Sequence, residues 1–113
     1  MKVAYVAGPY SDARGHWYVW QNIQQASEIA VALWQMGYSV ICPHRNTAFF
    51  DGAALREVWL EGDLEIMKRC DLVVMTPDWR RSPGANTEHD LAKASGIQVY
   101  YWPDDVRRLC LDA

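Results

Sequence analysis

The stretch KVAYVAGP (residues 2–9) begins with a short apolar run and ends in a turn dipeptide. A run of this length, apolar on both faces, is typical of a strand buried inside a sheet. Gly8-Pro9 predicts that the chain turns sharply where the strand ends. The first element, Lys2–Ala7, is therefore predicted to be a buried β-strand.

Helical and strand-like segments alternate along the rest of the chain. Apolar residues at helical spacing predict helices over Trp17–Met36, Leu55–Met67, Thr87–Ser95 and Asp104–Leu111. Short apolar runs predict further strands over Tyr38–Cys42, Asp71–Thr76 and Ile97–Trp102. This alternation predicts one α/β domain over residues 1–113, a flavodoxin-like or Rossmann-like open parallel sheet of four to five strands with helices on both faces. Trp20, Trp34 and Trp59 fall at core spacing and are expected to fill volume there.

Composition argues against several classes of function. The formal net charge of −3 offers no long-range attraction for a nucleic-acid backbone. No apolar run is long enough to span a bilayer, and the amino terminus resembles a strand instead of a signal peptide. We therefore expect a cytoplasmic protein without nucleic-acid or membrane partners. Because a chain of 113 residues supplies few pocket walls, we also expect a homo-oligomer.

Common cofactor and metal motifs are missing from the sequence. Neither GxGxxG nor GxxxxGK[ST] follows the first strand, so dinucleotide and ATP sites are not favoured. Cys42, Cys70 and Cys110 lie far apart without CxxC spacing, and the three histidines show no metal spacing. No cofactor or metal site is predicted, and the cysteines are expected to be reduced core residues.

Two carboxylates fall on helix faces that should turn toward the sheet. Glu88 lies three and four residues before Leu91 and Ala92, and Asp63 lies three residues before Ile66. Each has a structural alternative. A buried Lys, a buried Arg or backbone donors would pair with the Glu88 carboxylate, and Asp63 would lie at the solvated margin of its helix. The spacing alone does not separate catalytic from structural roles.

Ligands of open α/β sheets bind beyond the carboxyl ends of the strands, which here places them near the loops 8–16, 43–52 and 77–88. In the last loop, Ser82-Pro83-Gly84 is typical of a helix start whose free N–H groups suit an anion, with an ordinary cap as the alternative. Asp71 begins the third strand at the opposite edge, where a capping or turn role is expected.

Three segments together resemble the nucleoside 2-deoxyribosyltransferase superfamily, which also contains nucleoside 5′-monophosphate N-glycoside hydrolases and short phage and bacterial proteins. They are YVAGPY (5–10), GDLEIMKRCDLVV (62–74) and SPGANTE (82–88). The resemblance implies that Glu88 is the nucleophile and that Asp63 assists the departing base. It also implies that Tyr5 holds the nucleophile by a hydrogen bond and that Tyr10 covers the base or the sugar.

The resemblance also bears on the substrate. Ser82, Gly84 and Glu88 match the Ser-x-Gly-x-x-x-Glu pattern of the monophosphate hydrolases, whereas the transferases carry an aspartate in place of the serine. It thus implies an N-glycosidase acting on a nucleoside 5′-monophosphate, or deoxyribosyl transfer between bases, through a covalent glycosyl-enzyme on Glu88 and without a cofactor. A non-catalytic nucleotide-binding or sensing module on the same fold is the alternative. The candidate substrate-binding residues are Gly8, Tyr10, Arg14, His44, Ser82 and Gly84. Arg80 and Arg81 are further candidate phosphate ligands, and a solvated surface position is the alternative for each of the three arginines.

Overall fold

The computed structural model describes all residues from 1 to 113, and its sheet contains four parallel strands. The strands are β1 (Val3–Ala7), β2 (Ser39–Ile41), β3 (Leu72–Met75) and β4 (Gln98–Tyr101). The helices are α1 (His16–Met36), α2 (Pro43–Asn46), α3 (Arg56–Lys68), α4 (Pro83–Ala94) and α5 (Val106–Asp112), with a 3-10 turn over Trp79–Arg81. None of the helices combines the length and the apolar character that crossing a membrane requires.

The strand order β2-β1-β3-β4 is that of a flavodoxin-like open sheet, which confirms the predicted fold class. Tyr5 in β1 pairs with Ile41 of β2 on one side and Val73 of β3 on the other. The connections after β1 and after β2 therefore lead to opposite sides of β1. Such a reversal opens a crevice at the carboxyl ends of β1 and β3, where ligands of this fold class bind.

The core is divided by the sheet into two layers, and β1 contributes to both. Ala4 and Val6 pack with the buried face of α1, whereas Tyr5 and Ala7 pack with residues of α3 and α4. Successive side chains of a strand point to opposite faces, so this alternation follows from the strand itself. It points the fully buried Tyr5 side chain at α4.

The expectation that three tryptophans fill the core is wrong. Trp20 and Trp34 are 44% and 54% exposed, and Trp59 is half-buried against a cavity described below. The sheet covers only one stripe of α1, represented by Ala26 and Leu33, so apolar residues beside that stripe remain in solvent. Trp20 instead stacks on the exposed Trp17, with ring centroids 5.3 Å apart.

Two segments predicted as loops contain helices. α4 begins at Pro83, not at Thr87, because the Ser82 side chain caps it and proline suits the first helical position. The short α2 lies at the start of the predicted loop 43–52. The cysteines are not all core residues, since Cys70 is buried and Cys110 is exposed.

A glycine allows the carboxyl ends of β1 and β3 to lie in close contact. A Cβ added at Gly8 would lie 2.3 Å from Oγ1 and 2.4 Å from Cγ2 of Thr76. Thr76 is 1% exposed, and its N–H donates to the carbonyl of Ala7 at 2.9 Å, so it has no free space into which to move. The edge of the sheet at the crevice therefore requires glycine at position 8.

We expect Gly8→Ala to lower the free energy of unfolding by about 1–3 kcal/mol, the usual cost of overpacking a core. The matched control is Gly62→Ala in the middle of α3, where an added Cβ meets open space. Alanine should raise the free energy of unfolding there by up to about 1 kcal/mol, because it is the better helix former. Urea titration of the three proteins measures both effects. A Gly8→Ala protein as stable as the wild type would contradict the close contact.

Candidate active site

The Glu88 side chain lies between α4 and the sheet, in contact with the central strand. Ala85 and Ala92, one turn before and one turn after it, are buried, so Glu88 belongs to the sheet-facing stripe of α4. Its Oε2 accepts a hydrogen bond from the hydroxyl of Tyr5. Tyrosine, not a basic side chain, is thus the partner of this inward carboxylate.

Glu88 and two groups near it, Asp63 and Tyr5, have shifted pKa values. Burial raises the pKa of Glu88 to about 7, the charge of Asp63 adds to that rise, and the Tyr5 hydrogen bond opposes it. Burial raises the pKa of Asp63 to about 6. Burial and the neighbouring Glu88 raise the pKa of Tyr5 far above its ordinary range, so this hydroxyl remains a donor. Both carboxyl groups therefore titrate near neutral pH, where acid–base catalysis needs them, and Glu88 keeps its proton to a slightly higher pH than Asp63 does.

Beside this pair lies a cavity of about 330 Å³ at the carboxyl ends of β1 and β3. Its walls come from the loop after β1, α2, the loop before α3, and the first turns of α3 and α4. The structure brings seven of the predicted site residues together in its lining, namely Gly8, Tyr10, His44, Asp63, Ser82, Gly84 and Glu88. Tyr5 does not line the cavity, and its hydrogen bond to Glu88 connects it to the site.

Arg14 is not brought to this cavity. Its guanidinium pairs with Asp12 at 2.8 Å and lies 3.7 Å from the ring centroid of Tyr18. The hydrogen bonds and charge of Arg14 lower the pKa of Asp12 to about 2, so this pair remains ionised at neutral pH. The predicted contact of Arg14 with substrate is therefore not supported. Its charge is already engaged by an acidic neighbour two residues away.

Arg81 lines the cavity and Arg80 does not. The Arg81 guanidinium donates to Asp78 and to the side chain of Asn22, each at 2.9 Å. These contacts hold the Arg81 side chain in one orientation at the cavity rim. Arg80 instead lies over the ring of Trp79, 4.8 Å from its centroid.

Arg81, Ser82 and Gly84 form what we call the anion end of the cavity. The Ser82 Oγ accepts from the N–H of Ala85 at 3.1 Å, which leaves its own hydroxyl proton available to a ligand. The Gly84 N–H belongs to the first turn of α4 and has no partner within the helix. A helix amino terminus with free donors beside a guanidinium suits a phosphate group.

His44 and Tyr10 hold the loop after β1 in place at the cavity. His44 is buried, and its Nε2 lies 2.8 Å from the carbonyl oxygen of Pro9. Burial lowers the pKa of His44, so the ring is neutral at physiological pH and positions the loop after β1. The Tyr10 hydroxyl donates to Asp51 at 3.1 Å and accepts from the N–H of Phe49 at 2.7 Å. These bonds join the loop after β1 to the segment before α3.

Sequence reasoning missed several residues of the cavity lining. Asp51, Arg56 and Trp59 lie on the wall formed by α3 and the loop before it. No sequence signal pointed to them, since Asp51 and Arg56 are exposed charged residues near a helix start and Trp59 fell at core spacing. No group of three or more His, Cys, Asp or Glu side chains is arranged to hold a metal ion.

The family described as a domain of unknown function (DUF4406) matches residues 1–101 of this chain. A search of curated proteins finds no match.

Several solved structures have a similar fold. A 2-deoxyribosyltransferase from the psychrotolerant bacterium Bacillus psychrosaccharolyticus has a TM-score of 0.68 at 19% identity, over 88% of this chain and 70% of that one. The CMP N-glycosidase BcmB of Clostridium botulinum has a TM-score of 0.60 at 19% identity, over 96% and 80%. A conserved protein from Enterococcus faecalis V583 has a TM-score of 0.71 at 23% identity, over 89% and 62%. The resemblance to the nucleoside 2-deoxyribosyltransferase superfamily is confirmed at the level of fold.

The pKa of Glu88 predicts how stability depends on pH. Because folding raises that pKa from 4.5 to about 7, the folded state keeps a proton that the unfolded chain loses between these values. The free energy of unfolding should therefore fall as pH rises through this interval, by on the order of 3 kcal/mol. Glu88→Gln should lack this contribution and keep only the smaller decrease that Asp63, with its pKa of about 6, adds above pH 5. Urea titrations at pH 5 and pH 8 measure it, and the exposed Glu61→Gln should behave like the wild type. Equal pH dependence of Glu88→Gln and wild type would contradict the raised pKa.

Proposed function

The chain belongs to the DUF4406 family and has a nucleoside 2-deoxyribosyltransferase-like fold, and we propose that it is an N-glycosidase that cleaves the base–sugar bond of a nucleoside 5′-monophosphate. The observation that carries the proposal is the inward carboxylate of Glu88, bonded to Tyr5 and beside Asp63 at one cavity. Two carboxyl groups with different environments are the requirement for retaining glycoside cleavage.

Glu88 is the proposed nucleophile. Its ionised carboxylate attacks the anomeric carbon as the bond to the base breaks, through an oxocarbenium-like transition state. The product is a covalent glycosyl-enzyme with inverted configuration at that carbon. The Tyr5 hydroxyl, which donates to Glu88, orients the carboxylate and favours its ionised form.

Asp63 is the proposed acid and base. In its protonated form it donates to a ring atom of the departing base, so that the base leaves as a neutral molecule. The ionised Asp63 then accepts a proton from water, which attacks the anomeric carbon and releases the sugar phosphate with retained configuration. The pKa of about 6 places Asp63 near the value that both steps need at neutral pH.

The anion end supports a nucleotide over a free nucleoside. Arg81, the Ser82 hydroxyl and the Gly84 N–H offer donors at the rim of the same cavity, and Gly84 and Ser82 lie four and six residues before Glu88. An aspartate at position 82 would repel a phosphate, whereas serine donates to it.

Two features stay predictions from the sequence. One is the cytoplasmic location. The other is self-association, for which a second copy would cover exposed apolar side chains such as Trp17, Leu55 and Val58. Transfer of the sugar to a second base, in place of water, is the alternative fate of the same glycosyl-enzyme.

We expect Glu88→Gln to lower base release by roughly 10³-fold or more, because the amide cannot form the glycosyl-enzyme. Chromatography of free base, after incubation with a panel of nucleoside 5′-monophosphates, measures this. The control is Glu61→Gln on the exposed face of α3, which should retain full activity. Unchanged turnover in Glu88→Gln would remove the nucleophile assignment, and nucleotide binding without base release by the wild type would favour a sensing module.

Ser82→Asp tests the anion end separately from the fold, because aspartate is as good a helix cap as serine. The added charge should lower kcat/KM for the 5′-monophosphate by roughly 100-fold, since like charges oppose each other at close range. For the corresponding nucleoside, kcat/KM should change little. Ser82→Asn, a neutral cap, is the matched control. Equal losses on both substrates would contradict a phosphate site at α4.

A further inference from the structure

An acidic side chain lies beside the anion end of the cavity. The Oδ2 atom of Asp12 is 4.0 Å from Nη1 of Arg81, and the Asp12 side chain is only 8% exposed. Asp12 directly follows Ser11, which lines the cavity. At this distance the carboxylate needs to move by only about 1 Å to accept a hydrogen bond from Arg81. Such a bond would compete with a phosphate for the same guanidinium.

Arg14 holds that carboxylate instead. Nη2 of Arg14 donates to the same Oδ2 atom at 2.8 Å, and its Nε and backbone N–H donate to Oδ1 at 3.0 and 2.9 Å. These bonds, with the charges of Arg14 and Arg81, lower the pKa of Asp12 to about 2. The ring of Tyr18, 3.7 Å from the Arg14 guanidinium, keeps that side chain in place. Two arginines therefore compete for one carboxylate oxygen, and Arg14 is the nearer.

The other nitrogens of the Arg81 guanidinium are already bonded. Nε donates to Asp78 and Nη2 donates to Oδ1 of Asn22, each at 2.9 Å. Asn22 is buried and also donates to the carbonyl of Tyr10 at 3.0 Å, which fixes its orientation. Nη1 has no hydrogen bond, because its distance to Asp12 is too long for one. Nη1 is therefore the nitrogen of Arg81 that remains for a ligand.

We propose that Arg14 keeps the anion end open by holding Asp12 away from Nη1 of Arg81. This step rests on the proposed function, in which the anion end takes the 5′-phosphate. Arg14 is then a positioning residue that touches no substrate. Its removal weakens the preference for a phosphate because Asp12 pairs with Arg81. A direct contact between Arg14 and the phosphate, or attraction by its charge alone, would act whether or not residue 12 is ionised.

The test is a double-mutant cycle of Arg14→Met and Asp12→Asn. The readout is the ratio of kcat/KM for a nucleoside 5′-monophosphate to kcat/KM for its nucleoside, across the base-release panel. Arg14→Met alone should lower this ratio by roughly fivefold or more, the effect of one new charged pair. In the Asp12→Asn protein, Arg14→Met should change the ratio by less than about twofold, because a neutral amide does not hold a guanidinium strongly.

Two comparisons identify unspecific effects. Arg69→Met also removes one positive charge, but Arg69 pairs with Glu65 at the surface and lies outside the cavity, so the ratio should stay at the wild-type value. A structural defect in Arg14→Met would lower both activities and leave their ratio unchanged, which would contradict the inference. Arg14→Lys keeps a cation beside Asp12 and should recover part of the ratio.

A measurement on the free protein checks the same competition without catalysis. In Arg14→Met, the pKa of Asp12, followed by its carboxyl 13C signal, should stay below the ordinary value because Arg81 becomes the partner. Arg14→Met combined with Arg81→Met should raise it toward the ordinary value. An Asp12 pKa that is the same with and without Arg81, in the Arg14→Met protein, shows that the carboxylate does not move to Arg81 and overturns the inference.

The outcomes separate this inference from the proposed function. Base release with an equal loss for Arg14→Met in both backgrounds assigns Arg14 a direct or long-range effect, which overturns the inference while the N-glycosidase proposal stands. A wild-type ratio near one removes the anion end and the inference with it, and leaves cleavage of a nucleoside. If no nucleotide loses its base, the proposed function is wrong, and the pKa of Asp12 still decides whether Arg14 keeps Arg81 free.

Discussion

The hydrogen bond from the central strand to α4, donated by Tyr5 and accepted by Glu88, is the contact around which the site is organised. A carboxyl group beside a packed sheet is costly to ionise, and the pKa of about 7 expresses that cost. The tyrosine hydroxyl partly offsets it without supplying a positive charge, which would have held Glu88 permanently ionised and paired. The side chain is therefore kept near its protonation midpoint at the expense of stability, as is common for functional carboxylates.

The parallel sheet brings the second carboxylate to the same place. α3 and α4 each lead into a strand of one parallel sheet and cover the same face of it, so both helices begin at the carboxyl edge. Asp63 lies about two turns into α3 and Glu88 about one and a half turns into α4, so both lie below that edge. The close contact of Gly8 with Thr76 keeps β1 and β3 together above them. The cavity is thus a consequence of strand order and helix direction.

Charge is distributed unevenly around the cavity. Asp12 and Asp78 engage the nearby arginines, so that Arg81 is held in place by acidic partners while Arg14 is turned away from the site. On the wall of α3, Arg56 has no such partner. A guanidinium that is paired with a carboxylate is a fixed hydrogen-bond donor that adds little net charge. An unpaired guanidinium keeps its full charge for a ligand group. Two guanidinium groups, one paired and one unpaired, therefore line the same cavity.

Local periodicity was sufficient to predict the alternating parallel fold and to place Glu88 and Asp63 on inward helix faces, because a side chain's direction along a helix or strand follows from the backbone repeat. The same repeat could not show that Trp20 and Trp34 stay in solvent, since the sheet is too narrow to cover every apolar residue of α1. Nor could it show that Arg14 turns away while Arg56 and Asp51 face the cavity. The partner of a loop or helix-end side chain depends on which segments the fold brings together, and only the tertiary structure decides that.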